Sequence, residues 1–500
     1  MLALGSSACE QPPDDVVPPS LDVDTETITG SQGCRLPEGA SVPILPSVGS
    51  DSDDLFADDA LPLFELELGD EVWEQICLNA RAYADFLWSR VEGLDVPRQR
   101  HAYAEASMVF QGREFSSVGV RFRGRTTVYA LFYEDDELRP DAMERCYART
   151  LGRKPSLKIK LDEFGLDEEI ADQQKLNLVA REGADSSYLR EVLAQRITND
   201  FGATAPRAGH GRVCIDGQYE GVYSLVEEAD TNRFKRQRFS DASGGYWKVE
   251  ADGDQVWRDS WDTNGNWEGD YHPVGDTSET DPGTLRDLLL VGREIAEGGD
   301  AAAIDTALDD LIDAEAWMRE IAVELAIPDY DGMFGNHKNH LLYDHPERGF
   351  VVVPYDRDLA FVDLTEYAGG LCPGDVLGGH PCWASTREGP AIARWLVNTR
   401  TDEYLALVEE LIETVYVPEE LHAWIEARAT ALRPWVAADR YYREDSPACI
   451  DDPEACGYYN LGAWEYSVAP RMLDIISGRW EEVRRQLDGG AACSQPCEDW

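Results

Sequence analysis

The sequence predicts an α+β protein with a β-rich first lobe and a mainly helical second lobe. Stretches that alternate apolar and polar residues, such as "ASMVFQGREFSSVGVRF", fill the first half and are typical of half-buried strands. From about Asp281 onward the apolar residues follow helical spacing, and one predicted hairpin interrupts them. Strands followed by helices, rather than an alternation of the two, predict separate layers with a cleft between two lobes.

The first lobe can be assigned element by element. "LPLFELEL" predicts a strand, and the following "GDEVWEQICLNA" predicts a helix. Two strands are predicted within residues 106–127 and another in "SLKIKLDEF", with an acidic loop over residues 133–153 between them. "SSYLREVLAQRITNDFG" has a serine cap, helical apolar spacing and a terminal glycine, so it predicts a helix. "GRVCIDGQYEGVYSLVEEAD" predicts a hairpin that turns at its "DG".

The second half contains a predicted hairpin that is flanked by amide and carboxylate side chains. "HLLY" and "FVVVPY" flank the turn-like "DHPERG", so Asn339 and Asp356 should meet at one end, with Asp331 in the preceding loop. Amide and carboxylate oxygens are ligands for magnesium, and a nearby aspartate can accept a proton from a hydroxyl group. Phosphoryl transfer needs both. The alternative is a solvated hairpin whose acids only flank turns.

Composition narrows the class of partner. The chain has 500 residues and a formal net charge of -51, which excludes a nucleic-acid or anionic-membrane surface as the main partner. The acidity favours a solubility or salt adaptation over an acidic binding face. No apolar run is long enough to span a bilayer.

The first residues predict export. Residues 1–9, "MLALGSSAC", resemble the end of a signal peptide with a lipoprotein processing site at Cys9, although a charged start is missing and Ser6 stands where leucine is usual. Residues 10–60 are acidic and largely rich in proline, which predicts a disordered tether. The expectation is a bacterial lipoprotein, anchored by lipid at Cys9, that faces the periplasm or the cell surface.

The cysteine count agrees with an oxidising compartment. If Cys9 of the 11 cysteines carries lipid, an even number remains. Closely spaced pairs predict local disulfides rather than zinc ligands, because they lack CxxC spacing and histidine partners. These pairs are Cys372 with Cys382, Cys449 with Cys456, and Cys493 with Cys497. The pairing of Cys34, Cys77, Cys146 and Cys214 stays open.

The order of the segments resembles the CotH (spore coat protein H) kinase family, which has an atypical, bilobal protein-kinase-like fold. The resemblance runs roughly from Leu61 to Leu487 and is carried by "VRFRGRTT", "KPSLKIKLDEF", the segment around "SSYLREVLAQ" and "LVEEAD", "DGMFGNHKNHLLY" and "VVVPYDRDLAF". Where the family often has "HNYYLY" and "PWD", this chain has "KNHLLY" and "PYD". The resemblance implies a kinase-like N-lobe over 61–226, a C-lobe over 227–488 and a cysteine-containing tail over 489–500.

The resemblance also implies roles for individual residues. Asp331 is similar to the catalytic-loop aspartate, and Asn339 and Asp356 are similar to the metal ligands. Lys158, with Lys160 on the same strand face as its rival, is similar to the lysine that grips phosphate. The helix partner of that lysine and the residues near the nucleotide are implied to be Glu191, the hinge residues Val226 and Glu227, and the first-strand turn residues Arg123 and Thr126.

The function that these observations predict is a monomeric, exported kinase that uses ATP and Mg²⁺ to phosphorylate an unidentified protein or other surface acceptor. The alternatives are a non-catalytic coat or surface scaffold and an enzyme that transfers AMP. Residues Asp262–Asp270 resemble a calcium loop that lacks the usual glycine and terminal glutamate, so a polar loop is favoured over bound Ca²⁺ there.

Overall fold

The computed structural model describes residues 34–489 with gaps at 38–39, 41, 44, 46, 93–99, 135, 152, 166, 181–186, 250–252, 262–269, 276–280, 363–389 and 443–459. The predicted lipid anchor at Cys9, nearly all of the calcium loop and the three predicted local disulfides lie outside the described residues. The chain divides into two compact units: Met1–Leu189, Ala208–Glu227 and Trp424–Pro470 form the first, and Arg190–Arg207, Glu228–Ala423 and Arg471–Trp500 form the second.

The helices and strands are numbered in chain order. The strands are β1 (Leu63–Glu67), β2 (Ala104–Phe110), β3 (Arg113–Phe122), β4 (Tyr133–Glu134), β5 (Glu137–Leu138), β6 (Leu157–Lys160), β7 (Lys175–Val179), β8 (Ala208–Ile215), β9 (Gln218–Glu227), β10 (Tyr246–Val249), β11 (Tyr271–Pro273), β12 (His340–His345) and β13 (Gly349–Pro354). The helices are α1 (Ser52–Leu55), α2 (Gly69–Val91), α3 (Thr126–Phe132), α4 (Ala142–Tyr147), α5 (Arg190–Asp200), α6 (Asn232–Arg238), α7 (Pro282–Ala296), α8 (Ala301–Leu311), α9 (Ala314–Ala326), α10 (Met333–Asn336), α11 (Ala391–Thr399), α12 (Thr401–Thr414), α13 (Pro418–Ala437), α14 (Leu461–Tyr466) and α15 (Leu473–Leu487).

A closed β-barrel forms the centre of the first unit. Its strands follow the order β1-β2-β3-β6-β7-β9-β8, and β1 closes the barrel by pairing in parallel with β8. The hairpin of β8 and β9 turns at Asp216 and Gly217, both with positive φ, which confirms the predicted "DG" turn. Alternate residues of the strands pack into one apolar core with α2.

The prediction of a bilobal, kinase-like fold is wrong, whereas the α+β class is confirmed. Strands of the first unit close into a barrel, and the second unit contains a four-stranded sheet of β11-β10-β12-β13 besides its helices. Alternation along a strand reports which face is buried, but it does not report the partner strand. The parallel contact that closes the barrel joins residues 63–66 to residues 212–215, which no local pattern encodes.

Two segments differ locally from the expectation. The predicted loop over residues 133–153 contains the β4–β5 pair and α4. A disulfide between Cys77 and Cys146 joins α2 to α4, and a second between Cys34 and Cys214 joins the start of the described chain to β8. The helix predicted from the serines at 186–187 begins only at Arg190, because Tyr188 has a φ of 63°.

The second unit is organised around α9. This helix packs against β13, α5, α11, α12 and α15, and most of its residues are buried. The N-cap of α9 is Asp313, whose side chain accepts a hydrogen bond from the Ala316 backbone amide. This cap begins α9 as a helix separate from α8. Within the described ranges, no helix combines the length and the apolar character that crossing a bilayer requires.

A buried ion pair lies inside the first unit. Lys154 and Asp439 are both fully buried, and Lys154 Nζ lies 2.5 Å from Asp439 Oδ2 and donates to the Val222 carbonyl at 2.7 Å. Burial lowers the pKa of Lys154 and raises that of Asp439, and the attraction between the two charges opposes both shifts. Gly221 makes room for the pair, since a Cβ there would lie 1.9 Å from Asp439 Oδ2.

We expect Gly221→Ala to destabilise the protein by more than about 3 kcal/mol, because the methyl group separates a buried pair at a φ of 123°. Gly112→Ala is the control, since its φ is 80° but nothing lies within 4 Å of the added Cβ. That change should cost about 1 kcal/mol of backbone strain alone. Urea unfolding of both variants measures the difference, and equal costs would contradict the steric argument.

Candidate active site

The predicted hairpin exists, and its open end gathers the predicted metal ligands. His340 pairs with Pro354 in the β12–β13 register, so Asn339 and Asp356 extend from the same end. The Tyr355 amide donates to the Asn339 carbonyl at 2.9 Å and closes this end. Asn339 and Asp356 have φ angles of 56° and 59°, a left-handed conformation that asparagine and aspartate adopt more readily than most residues.

Asp331 accepts hydrogen bonds from both neighbouring asparagines. Asn336 Nδ2 donates to Oδ1 at 2.6 Å, and Asn339 Nδ2 donates to Oδ2 at 3.0 Å. Lys338 Nζ lies 2.8 Å from the same Oδ1. The proposed base is therefore held in place by three donors, and the amide oxygen of Asn339 is left as an acceptor.

One turn of helix, α10, spans most of the sequence between Asp331 and Asn339. The separation of eight residues predicts a bulged loop, and the structure replaces the bulge with this turn, which ends at His337 with a φ of 52°. Two backbone hydrogen bonds join the loop before it to the segment after β13. The Tyr330 amide donates to the Leu359 carbonyl at 3.2 Å, and the Phe361 amide donates to the Ile327 carbonyl at 2.7 Å.

Three buried carboxyl groups surround Arg357 beneath this site. Glu320 and Glu324 project from α9, Asp329 precedes Asp331, and each is about 1% exposed. The guanidinium of Arg357 contacts Glu320, and its Nε lies 3.3 Å from Asp329 Oδ2. Glu324 Oε1 accepts a hydrogen bond from the Phe334 amide at 2.6 Å, so α9 holds the start of α10.

Burial makes these carboxyl groups weak acids. Burial raises the pKa of Glu320 to about 7 and the pKa values of Glu324 and Asp329 to about 8, while the charge of Arg357 lowers all three. One guanidinium cannot balance three carboxylates, so the cluster retains protons at neutral pH. Gly332 leaves no spare space, because a Cβ there would lie 2.5 Å from Glu324 Oε1.

The lysines predicted to grip phosphate lie in the barrel unit. Lys158 and Lys160 both lie on the half-buried face of β6, as predicted, while the alternating residues are fully buried. Lys160 Nζ is paired with Glu163 Oε2 at 2.6 Å. Lys160 is therefore already paired with an acid, and the role of either lysine in gripping phosphate stays a prediction.

The other residues that were predicted to lie near the nucleotide are also among the described residues. Val226 and Glu227 lie in β9, where Val226 pairs with both β7 and β8 and Gln173 Nε2 lies 3.5 Å from Glu227 Oε1. Glu191 is buried near the start of α5, in the second unit. Their roles stay predictions, as do those of the first-strand turn residues: Arg123 donates its amide to the Ser156 carbonyl, and Thr126 is exposed at the start of α3.

The oxygen atoms at the hairpin end are suitable ligands for a hard cation. Asn339 and Asp356 supply an amide and a carboxylate oxygen, and magnesium accepts such ligands while retaining water. Over the part of the chain that the structure describes, no group of three or more His, Cys, Asp or Glu side chains is arranged as a metal site. A site of one amide and one carboxylate, completed by water and phosphate, would not require such a group.

Sequence reasoning missed the acids beneath the site. Glu320 and Glu324 stand four residues apart in "WMREIAVELA", among residues that bury the rest of the helix. Carboxyl groups on the apolar face of a helix are costly unless they are paired, and this pattern could have indicated a buried network. The position of Lys338 beside Asp331 had no comparable signal.

The comparisons with known proteins agree with this arrangement of segments. The family model described as CotH kinase protein matches residues 120–468, more than half of the chain. The chain belongs to the CotH kinase protein family. The matched range includes β12, β13 and the Asp331 loop, and it confirms the resemblance predicted from the sequence. A curated relative, inner spore coat protein H of Bacillus subtilis (strain 168), is 24% identical over 293 residues, which cover 55% of this chain and 72% of the relative.

The Glu324→Gln variant tests whether the buried carboxyl groups keep their protons, through the pH dependence of the free energy of unfolding. A carboxyl whose pKa is higher in the folded protein than in the unfolded chain keeps a proton that unfolding releases. The contribution of Glu324 to the free energy of unfolding should therefore fall as the pH rises from about 4 to about 8. We expect the variant to gain more than about 1 kcal/mol relative to wild type between about pH 5 and about pH 8.5, measured by urea unfolding.

The matched control is Glu315→Gln, at the exposed start of the same helix. Its difference from wild type should be the same at both pH values. If the two glutamine variants behave in parallel, the buried cluster does not titrate as described.

Proposed function

We propose that this member of the CotH family is a kinase that transfers the terminal phosphoryl group of ATP to a hydroxyl group on a protein or other surface acceptor. The observation that carries the proposal is that the Asp331 carboxylate accepts a hydrogen bond from Asn339. Asn339 lies at the end of the hairpin from which Asp356 also extends. This arrangement provides a proton acceptor beside two oxygen ligands. The family name supports kinase chemistry, and the geometry of the hairpin end is the reason for proposing these residues for it.

The proposed reaction divides the work among three side chains. Asp331 accepts the proton of the acceptor hydroxyl, whose oxygen forms a bond to the γ-phosphorus. The bond from that phosphorus to the β–γ bridging oxygen breaks, and ADP leaves with the electron pair. Asn339 and Asp356 would hold Mg²⁺, which supplies charge neutralisation for the phosphates when it is bound.

The buried network supports the proposed base by fixing its loop. Arg357 follows Asp356 directly and contacts both Glu320 and Asp329, two residues before Asp331. Catalysis of phosphoryl transfer depends chiefly on positioning and charge stabilisation, so an anchored loop serves it better than a mobile one.

Two other functions compete with phosphorylation. The curated relative is named as a spore coat protein, which favours a surface or coat scaffold as the second candidate. Transfer of AMP would use the same ligands with the α-phosphorus as the centre of attack. The intact mass of the chain and of candidate acceptor proteins after incubation with ATP separates the three outcomes, since phosphate, AMP and no addition differ in mass.

Export is part of the proposal. The disulfides Cys34–Cys214 and Cys77–Cys146 are typical of proteins in an oxidising compartment. We propose that the protein works outside the cytoplasm, anchored by lipid at Cys9.

Asp356→Asn tests the metal site. The amide keeps the shape of the side chain but removes the negative charge that attracts Mg²⁺. We expect magnesium-dependent ATP binding to weaken by about tenfold or more while the unfolding midpoint changes little. Titration calorimetry with and without magnesium measures the effect, and equal affinities in the two proteins would refute the assignment.

Asp331→Asn tests the base. The variant should bind Mg-ATP as tightly as wild type but label an acceptor about a hundredfold more slowly, because the amide cannot take the hydroxyl proton. Phosphate incorporation from labelled ATP gives the rate. A joint loss of affinity and rate would make Asp331 a metal ligand, and a loss of neither would favour Asp329 as the base or the scaffold function.

A further inference from the structure

Residues 253–255 form a short segment that contacts both ends of the helical turn α10. The Gly253 amide donates to the His337 carbonyl at 2.9 Å, where α10 ends. Gln255 Nε2 donates to the Sδ atom of Met333 at 3.3 Å, where α10 begins. These two contacts constrain the helical turn that connects the proposed base to a proposed metal ligand.

The same glutamine caps a second helix. Gln255 Oε1 accepts hydrogen bonds from the amides of Ile392 and Ala393 at 3.0 and 3.2 Å. Both amides belong to the first turn of α11, whose own N-cap residue, Pro390, makes no side-chain hydrogen bond to the helix. Amides of a first turn have no partner within their helix, so Gln255 supplies an acceptor from a distant part of the chain. One side chain therefore joins the start of α11 to the start of α10.

The position of Gln255 is also fixed by its backbone. The residue is fully buried, and its φ angle of 62° is uncommon for a residue other than glycine. The Gln255 amide donates to the Tyr271 hydroxyl at 3.0 Å. A Cβ on Gly292 of α7 would lie 1.7 Å from the Gln255 carbonyl oxygen, so α7 packs directly against this residue. A backbone conformation of this kind persists where surrounding contacts require it, and such positions often lie at functional sites.

The two parts of the candidate site are held in different ways. Asn339 and Asp356 lie at the hairpin end, which the hydrogen bond from the Tyr355 amide to the Asn339 carbonyl closes. Asp331 lies in the loop before α10, and its carboxylate accepts a hydrogen bond from Asn336, the last residue of α10. A displacement of α10 would therefore move the proposed base relative to the proposed metal ligands, which the hairpin holds.

We propose that Gln255 is a positioning residue for phosphoryl transfer, which holds α10 against α11 and thereby keeps Asp331 within reach of the acceptor hydroxyl. This inference rests on the proposed kinase function and adds to it a residue that touches neither substrate nor metal. It also makes the position of the base depend on α11, because the two helices share one glutamine. A base displaced by about 1 Å loses much of its effect on the rate, whereas nucleotide affinity depends on other groups.

Gln255→Met tests the proposal, because methionine keeps the length of the side chain but removes both the amide donor and the oxygen acceptor. We expect labelling of an acceptor from ATP to slow by about tenfold, while the affinity for Mg-ATP stays within about twofold of wild type. Glu324 still accepts a hydrogen bond from the Phe334 amide, so α10 is loosened rather than released. Phosphate incorporation gives the rate, and titration calorimetry gives the affinity.

Two further variants separate positioning from folding. Gln486→Met is the matched control and should keep the wild-type rate, since Gln486 is also buried in the second unit but bonds to Glu482 of its own helix. Met333→Leu removes only the sulfur acceptor at nearly constant volume, and it should slow labelling by about threefold, the scale of a weak hydrogen bond. Hydrogen exchange of the α10 amides should become faster in Gln255→Met and Met333→Leu but not in Gln486→Met.

The outcomes separate this inference from the proposed function. If wild type labels no acceptor, the kinase function fails, and the role of Gln255 in that reaction fails with it. If wild type labels an acceptor and Gln255→Met labels it equally fast, only the role of Gln255 is overturned. Unchanged exchange of the α10 amides in Gln255→Met overturns that role as well. A joint loss of rate, Mg-ATP affinity and folded protein in Gln255→Met, with Met333→Leu equal to wild type, would make Gln255 a structural residue only.

Discussion

The candidate site depends on one buried guanidinium group. Arg357 lies between carboxyl groups from α9 and from the loop before Asp331, and its Nη1 also donates to Thr198 Oγ1 of α5 at 2.6 Å. A buried cation with such partners fixes the elements that supply them, because removing the cation would leave buried carboxyl groups without a counter-charge. The same residue directly follows Asp356, so the anchor lies next to a proposed metal ligand.

The excess of acid over base in this cluster has an electrostatic consequence. Glu320, Glu324 and Asp329 share one guanidinium, and burial keeps part of their protons at neutral pH. By contrast, Asp331 lies nearer the solvent and is bonded to amides and a lysine. The loop of Asp331, the proposed base, is therefore held by buried carboxyl groups that contact Arg357.

The barrel unit shows a different way of holding a charge inside a protein. Lys154 and Asp439 form a fully buried pair in space that Gly221 leaves open. The pair joins the region just before β6 to residues that follow α13, and its two members lie 285 residues apart in the sequence. Together with the two disulfides, it ties distant parts of the chain to the barrel.

The sequence by itself determined the local elements, the β12–β13 hairpin and the family. Alternation and turn residues act over a few neighbours, so β1, β2, β3, β6 and the Asp216–Gly217 turn could be predicted. The candidate residues at the hairpin end, Asn339 and Asp356, followed from antiparallel pairing alone. The tertiary structure decided the closure of the barrel, the pairing of the four described cysteines, and the contacts of Lys338 and Arg357. These features depend on which distant segments come into contact and on how deeply each charged group is buried. The periodicity of a single segment encodes neither the distant contact nor the burial.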